Sequence, residues 1–506
     1  MKKLLLPALL AAIFMPAHAS SSLEEYRSSF SLEEIADAPD LVGGKCTDWK
    51  VLGNSVLTQK QLPGAFERSA ESAGRALTRA YVAAGYITVR VMPDARDCTL
   101  QVVELKASPV GEYADFVPRK ALRTADVEHF GTLISRHAAD AQKRVRITFG
   151  EPNVEAGTVE VKTEAAPIND PQKLASTVVY NSLGPRYSGS DVLTAYVKNS
   201  IDGLRVEGSA SVGLPFVRSE SKGGIYAAAS GKVSGSTPYG IVGVESNISS
   251  YKVGGAYREL NIKGTTWRTQ LAYEYPLTTR TSLEGRLGYV YQDQKMDSFG
   301  LNESLGYFSG YAGVRDTGEF YGKSTYAVAG GVLQGLGGSQ EFTMVPLSGL
   351  YDRAFTLVRA DGSIFVPLSE KDDSNLQFVT GIQLGKRGVP SPETFYIGGL
   401  DRGSSYPTGV YAGHSGFSAG VKYSFKTFNT EVSGQPLALQ PFVAFNAGMV
   451  KQATGDSATV GSLEGGTTVK LTKNISGAAS VATRIDGNKA FPGPGTRLNL
   501  SLNLVF

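Results

Sequence analysis

The chain has 506 residues and a formal net charge of +3, a balance that excludes a protein built to bind nucleic acid. Charged residues make up 19%, below the roughly 25% of soluble domains, while glycine (59) and tyrosine (24) are abundant. Beyond the amino-terminus no apolar run reaches the roughly 18 residues of a membrane helix, whereas glycine- and tyrosine-rich alternation fits an outer-membrane barrel.

Met1-Lys2-Lys3, the apolar stretch Leu4 to Phe14 and Ala17-His18-Ala19 form a secretory signal peptide over 1–19, cleaved before Ser20. Residues 20–40 are acidic, with Leu23, Tyr26 and Phe30 at helical spacing. Ser22-x-x-Glu25 and Ser31-x-x-Glu34 resemble capping boxes, so the segment reads as a short amphipathic helix or a disordered leader, ended by Pro39.

Residues 41–108 form the first folded unit, in the order β-α-α-β-β. A strand around Cys46–Leu52 precedes a short helix over Ser55–Leu62. A stronger helix follows over Ser69–Ala84, striped by Ala73, Ala76, Leu77, Ala80, Tyr81 and Ala84 and capped by Gly85. Strands over Tyr86–Met92 and Thr99–Lys106 complete it. Residues 109–166 repeat the theme: Val110–Val117 extended, a helix capped by Thr124, then strands over Arg144–Phe149 and Thr158–Thr163. Ala165–Asp170 is a linker.

From about residue 171 the helical period gives way to period two. Leu204, Val206, Ala210, Val212 and Leu214 oppose Arg205, Glu207, Ser209 and Ser211; Trp267, Leu271, Tyr273 and Tyr275 oppose Arg268, Gln270 and Glu274. The same alternation marks Leu283–Tyr291, Leu376–Leu384, Phe417–Phe425 and Val481–Ile485. It ends in Leu498, Leu500, Leu502, Leu504 and the carboxy-terminal Phe506. A soluble sandwich also alternates, but here the apolar faces end in aromatics and the polar faces carry both signs of charge, as in a barrel with a watery lumen. About sixteen such segments are expected. The longest connection, Lys386 to Gly416, holds Gly398, Gly399, Asp401, Arg402 and Gly403, and loops of that length are uncommon unless functional.

The two cysteines, Cys46 and Cys98, imply a disulfide in an exported chain more than a metal site or a nucleophile. Gly416-Phe417-Ser418-Ala419-Gly420 matches the hydrolase elbow in letters, but Ser418 sits inside a period-two strand rather than a strand-to-helix turn. His129, His137 and His414 are too scattered for a metal site, and no glycine-rich loop opens a helix to hold a nucleotide. No cofactor, metal or enzymatic activity is expected.

Signal peptide, two β-α-α-β-β-like units, an alternating barrel and one long Gly-Gly…Arg-Gly loop, in that order, resemble a two-partner secretion transporter of the filamentous-haemagglutinin and haemolysin exporter (TpsB-type) family, within the POTRA-plus-barrel superfamily. Val103-Glu104 after the Ala84-Gly85-Tyr86 turn resembles the first POTRA domain. Tyr180-Asn181-Ser182-Leu183-Gly184 and Tyr187-Ser188-Gly189 resemble the family's first barrel strand.

The resemblance implies a mainly β fold with a smaller α+β part: two periplasmic POTRA-like domains, then a 16-stranded transmembrane antiparallel β-barrel over 171–506. It implies that the loop 386–416 folds into the lumen with Arg402-Gly403 at its tip. Asp401 and Ser404 replace the family's apolar and aromatic residues, and Asn446 stands where the barrel wall has a carboxylate, so Asn446 is the expected anchor for Arg402, with Asp401 as the other candidate partner. The alternative is an Arg402 exposed on an outer loop. Residues 20–40 would then hold a plug helix, and Phe506 would serve as the carboxy-terminal assembly signal.

The partners implied are a secreted TpsA-like passenger that is exported unfolded and β-rich, outer-membrane lipid, and the outer-membrane assembly machinery. The location implied is the bacterial outer membrane, with the amino-terminal domains in the periplasm. A general insertase for outer-membrane proteins and a passive porin are the alternatives.

Overall fold

The computed structural model describes residues 46–168, 175–214, 222–347, 350–369, 372–432, 435–486 and 495–506. The signal peptide at 1–19, the segment 20–40 and the end of the linker lie outside them. The chain divides into two compact units, one amino-terminal and one containing the barrel.

The amino-terminal unit begins with β1 (Lys50–Leu52), α1 (Ala70–Ala83), β2 (Val89–Asp94) and β3 (Thr99–Glu104). Its sheet runs β1-β3-β2, with β1 parallel and β2 antiparallel to β3. Ser69 starts α1 because its hydroxyl accepts from the amide of Ser72 at 3.1 Å. The stripe Ala73, Leu77 and Tyr81 then packs on Leu100 and Val102 of β3.

The helix expected over Ser55–Leu62 does not form; that stretch is a series of turns. Its first amides are held from outside: Glu104 accepts from Ser55 N at 2.7 Å and Val56 N at 3.2 Å, and Asn54 Oδ1 from Leu57 N at 2.9 Å. Tyr81 donates to the same Asn54 oxygen at 2.6 Å. Burial, with Glu104 and Tyr86 nearby, pushes its phenol well above the usual range.

The second half follows as β4 (Lys106–Gly111), α2 (Thr124–Asp140), β5 (Lys143–Asn153) and β6 (Thr158–Pro167), in the sheet β4-β6-β5. Extension was expected through Val117, but a single 3₁₀ turn occupies Ala114–Phe116. The Tyr113 amide donates to Thr163 Oγ1 at 3.1 Å, turning the tyrosine ring into the core beneath α2. The halves are stitched together: Ile87 N donates to Leu122 O at 3.0 Å and Thr124 N to Gly85 O at 2.9 Å. Cys46 and Cys98 are bridged, tying the entry of the unit to the start of β3.

The second unit is a closed barrel. Its strands are β7 (Ala175–Asn181), β8 (Asp191–Ile201), β9 (Leu204–Leu214), β10 (Ile225–Thr237), β11 (Gly240–Lys252), β12 (Ile262–Pro276), β13 (Thr281–Met296), β14 (Leu301–Glu319), β15 (Thr325–Phe342), β16 (Thr356–Pro367) and β17 (Asn375–Gly385). After them comes a loop containing the short hairpin β18 (Phe395–Ile397) and β19 (Tyr411–Gly413). Then follow β20 (Ser415–Ser424), β21 (Phe428–Val432), β22 (Gln435–Lys451), β23 (Ser457–Lys470), β24 (Ile475–Arg484) and β25 (Thr496–Val505). Both β20 and β21 pair with β22, so they are one interrupted strand, and β25 returns to β7 to close 16 strands.

The alternation sets the two faces. Leu204, Leu271, Leu287, Phe378, Phe417, Val443, Val481 and Leu498 all point outward and are exposed, which makes the outer face an apolar band suited to lipid. Polar groups on that band satisfy one another: Trp267 Nε1 donates to Ser246 Oγ at 3.1 Å, and Ser246 shares a bond of 2.9 Å with Thr269. At one end the connections are tight, as at Asp202-Gly203 and Pro238-Tyr239; the long connection between β17 and β20 is at the other.

Linking residues 52 apart in sequence, the disulfide is expected to contribute about 3–4 kcal/mol by restricting the unfolded chain. Protein isolated without reductant in the presence of an alkylating agent should show no free thiol by mass spectrometry. Two alkylated cysteines would reject the bridge.

Candidate functional site

The loop between β17 and β20 folds inward and crosses the lumen. Its root begins with Val389, which joins a buried lumenal cluster of Val290, Leu305, Tyr307, Leu333, Phe355 and Leu357. After Pro390, a 3₁₀ turn over Ser391–Glu393 aims Glu393 at the wall, where it is only 1% exposed.

A carboxylate there is tolerable only with its lone pairs filled. Arg268 of β12 and Arg359 of β16 both pair with it, the latter at 2.8 Å, and the Tyr307 hydroxyl of β14 donates at 2.9 Å. Removing one member of such a buried set costs about 3–5 kcal/mol.

The tip is made by left-handed residues. Gly398, Gly399, Asp401 and Gly403 have φ of 96°, 85°, 62° and 120°. The chain folds on itself there: Gly398 N donates to Arg402 O at 2.8 Å, Gly399 N to Tyr406 O at 3.0 Å, and Tyr406 N to Gly403 O at 2.9 Å. At Gly403 a side chain would also press on Val460 of β23, so glycine is required twice over.

Arg402 points inward rather than outward, as expected, but its partner differs from the expected one. Its Nη1 donates to Tyr396 O at 3.1 Å, its plane lies 4.5 Å from the Phe395 ring, and Nη2 is 3.7 Å from Asp361 Oδ1 on β16. Asn446 is buried on the lumenal face of β22 and lies beside Gly420 rather than at the guanidinium. The register explains the choice. Gly381 stands between Asp361 and Ser418 across β16, β17 and β20, and its missing side chain leaves a socket beside a carboxylate, a stronger acceptor for guanidinium than an amide.

Beyond Arg402 the loop reaches the far wall. Ser405 Oγ meets Ser462 Oγ of β23 at 2.5 Å, and the Tyr406 hydroxyl donates to both oxygens of Asp486, at 2.8 and 2.7 Å. Asn499 Nδ2 of β25 donates to Ser404 O at 3.2 Å, and Thr408 donates to Leu183 O just past β7. Counted from β7, Tyr307 lies on the eighth strand, while Asn499 and Leu183 lie on the sixteenth and beside the first. The loop therefore spans the lumen from one wall to the opposite one.

The wall over β8 to β10 is different in character. There Thr194 pairs with Ser211 at 3.0 Å and Ser209 with Ser230 at 2.7 Å. Ser418, the middle of the elbow-like motif, is buried in β20 between β17 and β22. Among the described residues no group of histidine, cysteine and carboxylate side chains is placed to hold a metal.

In the amino-terminal unit, a cleft of about 430 Å³ lies between the two halves, lined by Ser55, Tyr86, Glu104, Lys106, Arg119 and Arg123 among others. Arg123 stacks on Tyr86 at 4.6 Å, while Glu104 is occupied by the Ser55 and Val56 amides, leaving the rim basic. β2 is an edge of its sheet.

The fold and the loop together place the chain among known structures. It aligns with CdiB from Escherichia coli over 96% of this chain and 97% of that one, at a TM-score of 0.67 and 15% identity. CdiB from Acinetobacter baumannii aligns over 97% and 100%, at a TM-score of 0.66 and 11% identity. At such identities the likeness is one of fold. No protein-family model matches the sequence, and no curated protein matches it either.

Sequence reading missed Glu393 and Asp361. Parity places Arg268 on the lumenal face, but Glu274 shares that face, so nothing in the sequence pointed from Arg268 to Glu393.

Asp361→Ala and Arg402→Ala should each raise cleavage of the loop by added protease, and the double variant should be little worse than either. The coupling expected of a pair at that distance is about 1 kcal/mol. Asn446→Ala should leave the effect of Arg402→Ala unchanged; additive effects at Asp361 and Arg402 would reject the pairing.

Proposed function

We propose that the protein is an outer-membrane transporter that takes up one exported, unfolded partner protein through its amino-terminal units and passes it through the barrel to the cell surface. The observation that carries this reading is a closed 16-stranded barrel obstructed by its own loop and preceded by two sheet-and-helix units. The fold shared with CdiB, a TpsB-type transporter, supports it.

A lumen crossed by a strut held at both walls argues against a passive porin. The amino-terminal units then lie in the periplasm. The β2 edge offers unpaired backbone groups for strand addition by an extended client, and the basic cleft offers an adjacent groove. The energy comes from folding of the passenger outside, and neither nucleotide hydrolysis nor catalysis takes part.

Deleting residues 46–167 should abolish secretion of the partner while leaving a barrel that still shifts in mobility on heating. Unchanged secretion would sink capture by these units. Loss of many unrelated outer-membrane proteins from cells lacking the protein would favour a general insertase instead.

A further inference from the structure

The two ends of the lumenal loop are held by different chemistry. At the root, one residue gathers four strands. The Glu393 carboxylate takes Arg268, Arg359 and Tyr307, and its backbone carbonyl accepts from Arg359 Nη2 and Gln383 Nε2, both at 2.8 Å. Gln383 of β17 in turn accepts from Arg359 Nε at 2.8 Å. Neither arginine can leave without weakening the pairing of a buried carboxylate.

At the tip, the buried bonds to the wall are separate contacts, Ser405 with Ser462, Asn499 with Ser404, Thr408 with Leu183 and Tyr406 with Asp486, beside Arg402 and Asp361 at 3.7 Å, and no single residue there gathers several strands as Glu393 does. The tip is also a self-contained body: its turns close on themselves, and Gly398, Gly399 and Gly409, all at positive φ, flank it. Glycines in such positions are the joints about which a bonded segment can swing. Between root and tip, the paired stem of β18 and β19 packs Phe395 and Ile397 against Val450 and Val460.

We propose that Glu393 is the positioning residue of this loop: it pins the root, residues 386–397, to the wall, and the tip, residues 398–410, is the part that moves. The proposal deepens the reading of the loop as the obstruction of a transport lumen. Clearing the passage then requires release of the tip, including its Arg402–Asp361 contact, while the root held at Glu393 stays in place and guides its return.

Hydrogen–deuterium exchange of the full chain in detergent micelles, read by mass spectrometry, tests this without any passenger. Amides of 398–410 should exchange at least roughly tenfold faster than those of 386–397. Arg402→Ala should speed the tip alone. Glu393→Gln should bring the root close to the rate of the tip, and Glu393→Asp should restore part of its protection.

One common rate for root and tip in the parent protein, or an unchanged root in Glu393→Gln, would overturn the proposal. Where Glu393→Gln does not assemble, Tyr307→Phe removes one donor and keeps both ion pairs. It should speed the root by a smaller factor, and no change would again overturn the idea. Failure of the secretion experiment with these exchange rates intact would count against the transport reading and not against the pinned root.

Discussion

A backbone amide left unpaired in hydrocarbon costs several kcal/mol, so a sheet can cross a membrane only by closing on itself. Here closure falls to β25 and β7, which share the short register Ser501↔Asn181 to Val505↔Thr177. Where strand pairing stops, Ser182 continues it: its amide donates to Leu500 O at 3.0 Å and its hydroxyl accepts from Leu500 N at 2.9 Å. Arg497 adds a bond to Ser182 O at 2.9 Å from the lumenal side. Phe506 donates its amide to Ser176 O at 2.9 Å, finishing the ladder at its opposite end. Everything inside the barrel, the loop included, presupposes this seam.

Much of that architecture is legible in the sequence, because a strand wet on one side and greasy on the other writes its parity directly. In β22 alternation puts Val443 and Phe445 on the outside and Phe442, Ala444 and Asn446 on the inside, and their exposures follow it. What parity cannot supply is the position of a residue around the barrel. It places Asn446 and Asp361 equally on the lumenal face, and only the register through Gly381 decides which one the guanidinium meets.

Glu393 was hidden for a related reason. It stands in Pro390-Ser391-Pro392-Glu393-Thr394, which reads as a polar turn, and its partners lie far away in sequence on β12, β14 and β16. The lost helix at 55–62 fails differently. Its local pattern is helical enough, but the Asn54 side chain takes both the amide and the carbonyl of Leu57, and that carbonyl would have accepted the next bond of a helix. Local propensity lost to a side chain that competes for the backbone.

The wall over β8 to β10 has a consequence for anything that crosses the lumen beside the strut. Its hydroxyls are paired with each other, Thr194 with Ser211 and Ser209 with Ser230. Charged residues share that face, with Glu207 opposite Lys198 on β8 and opposite Lys232 on β10. A wall of paired hydroxyls and opposed charges is wet, and a segment lying against it keeps its own backbone solvated rather than buried.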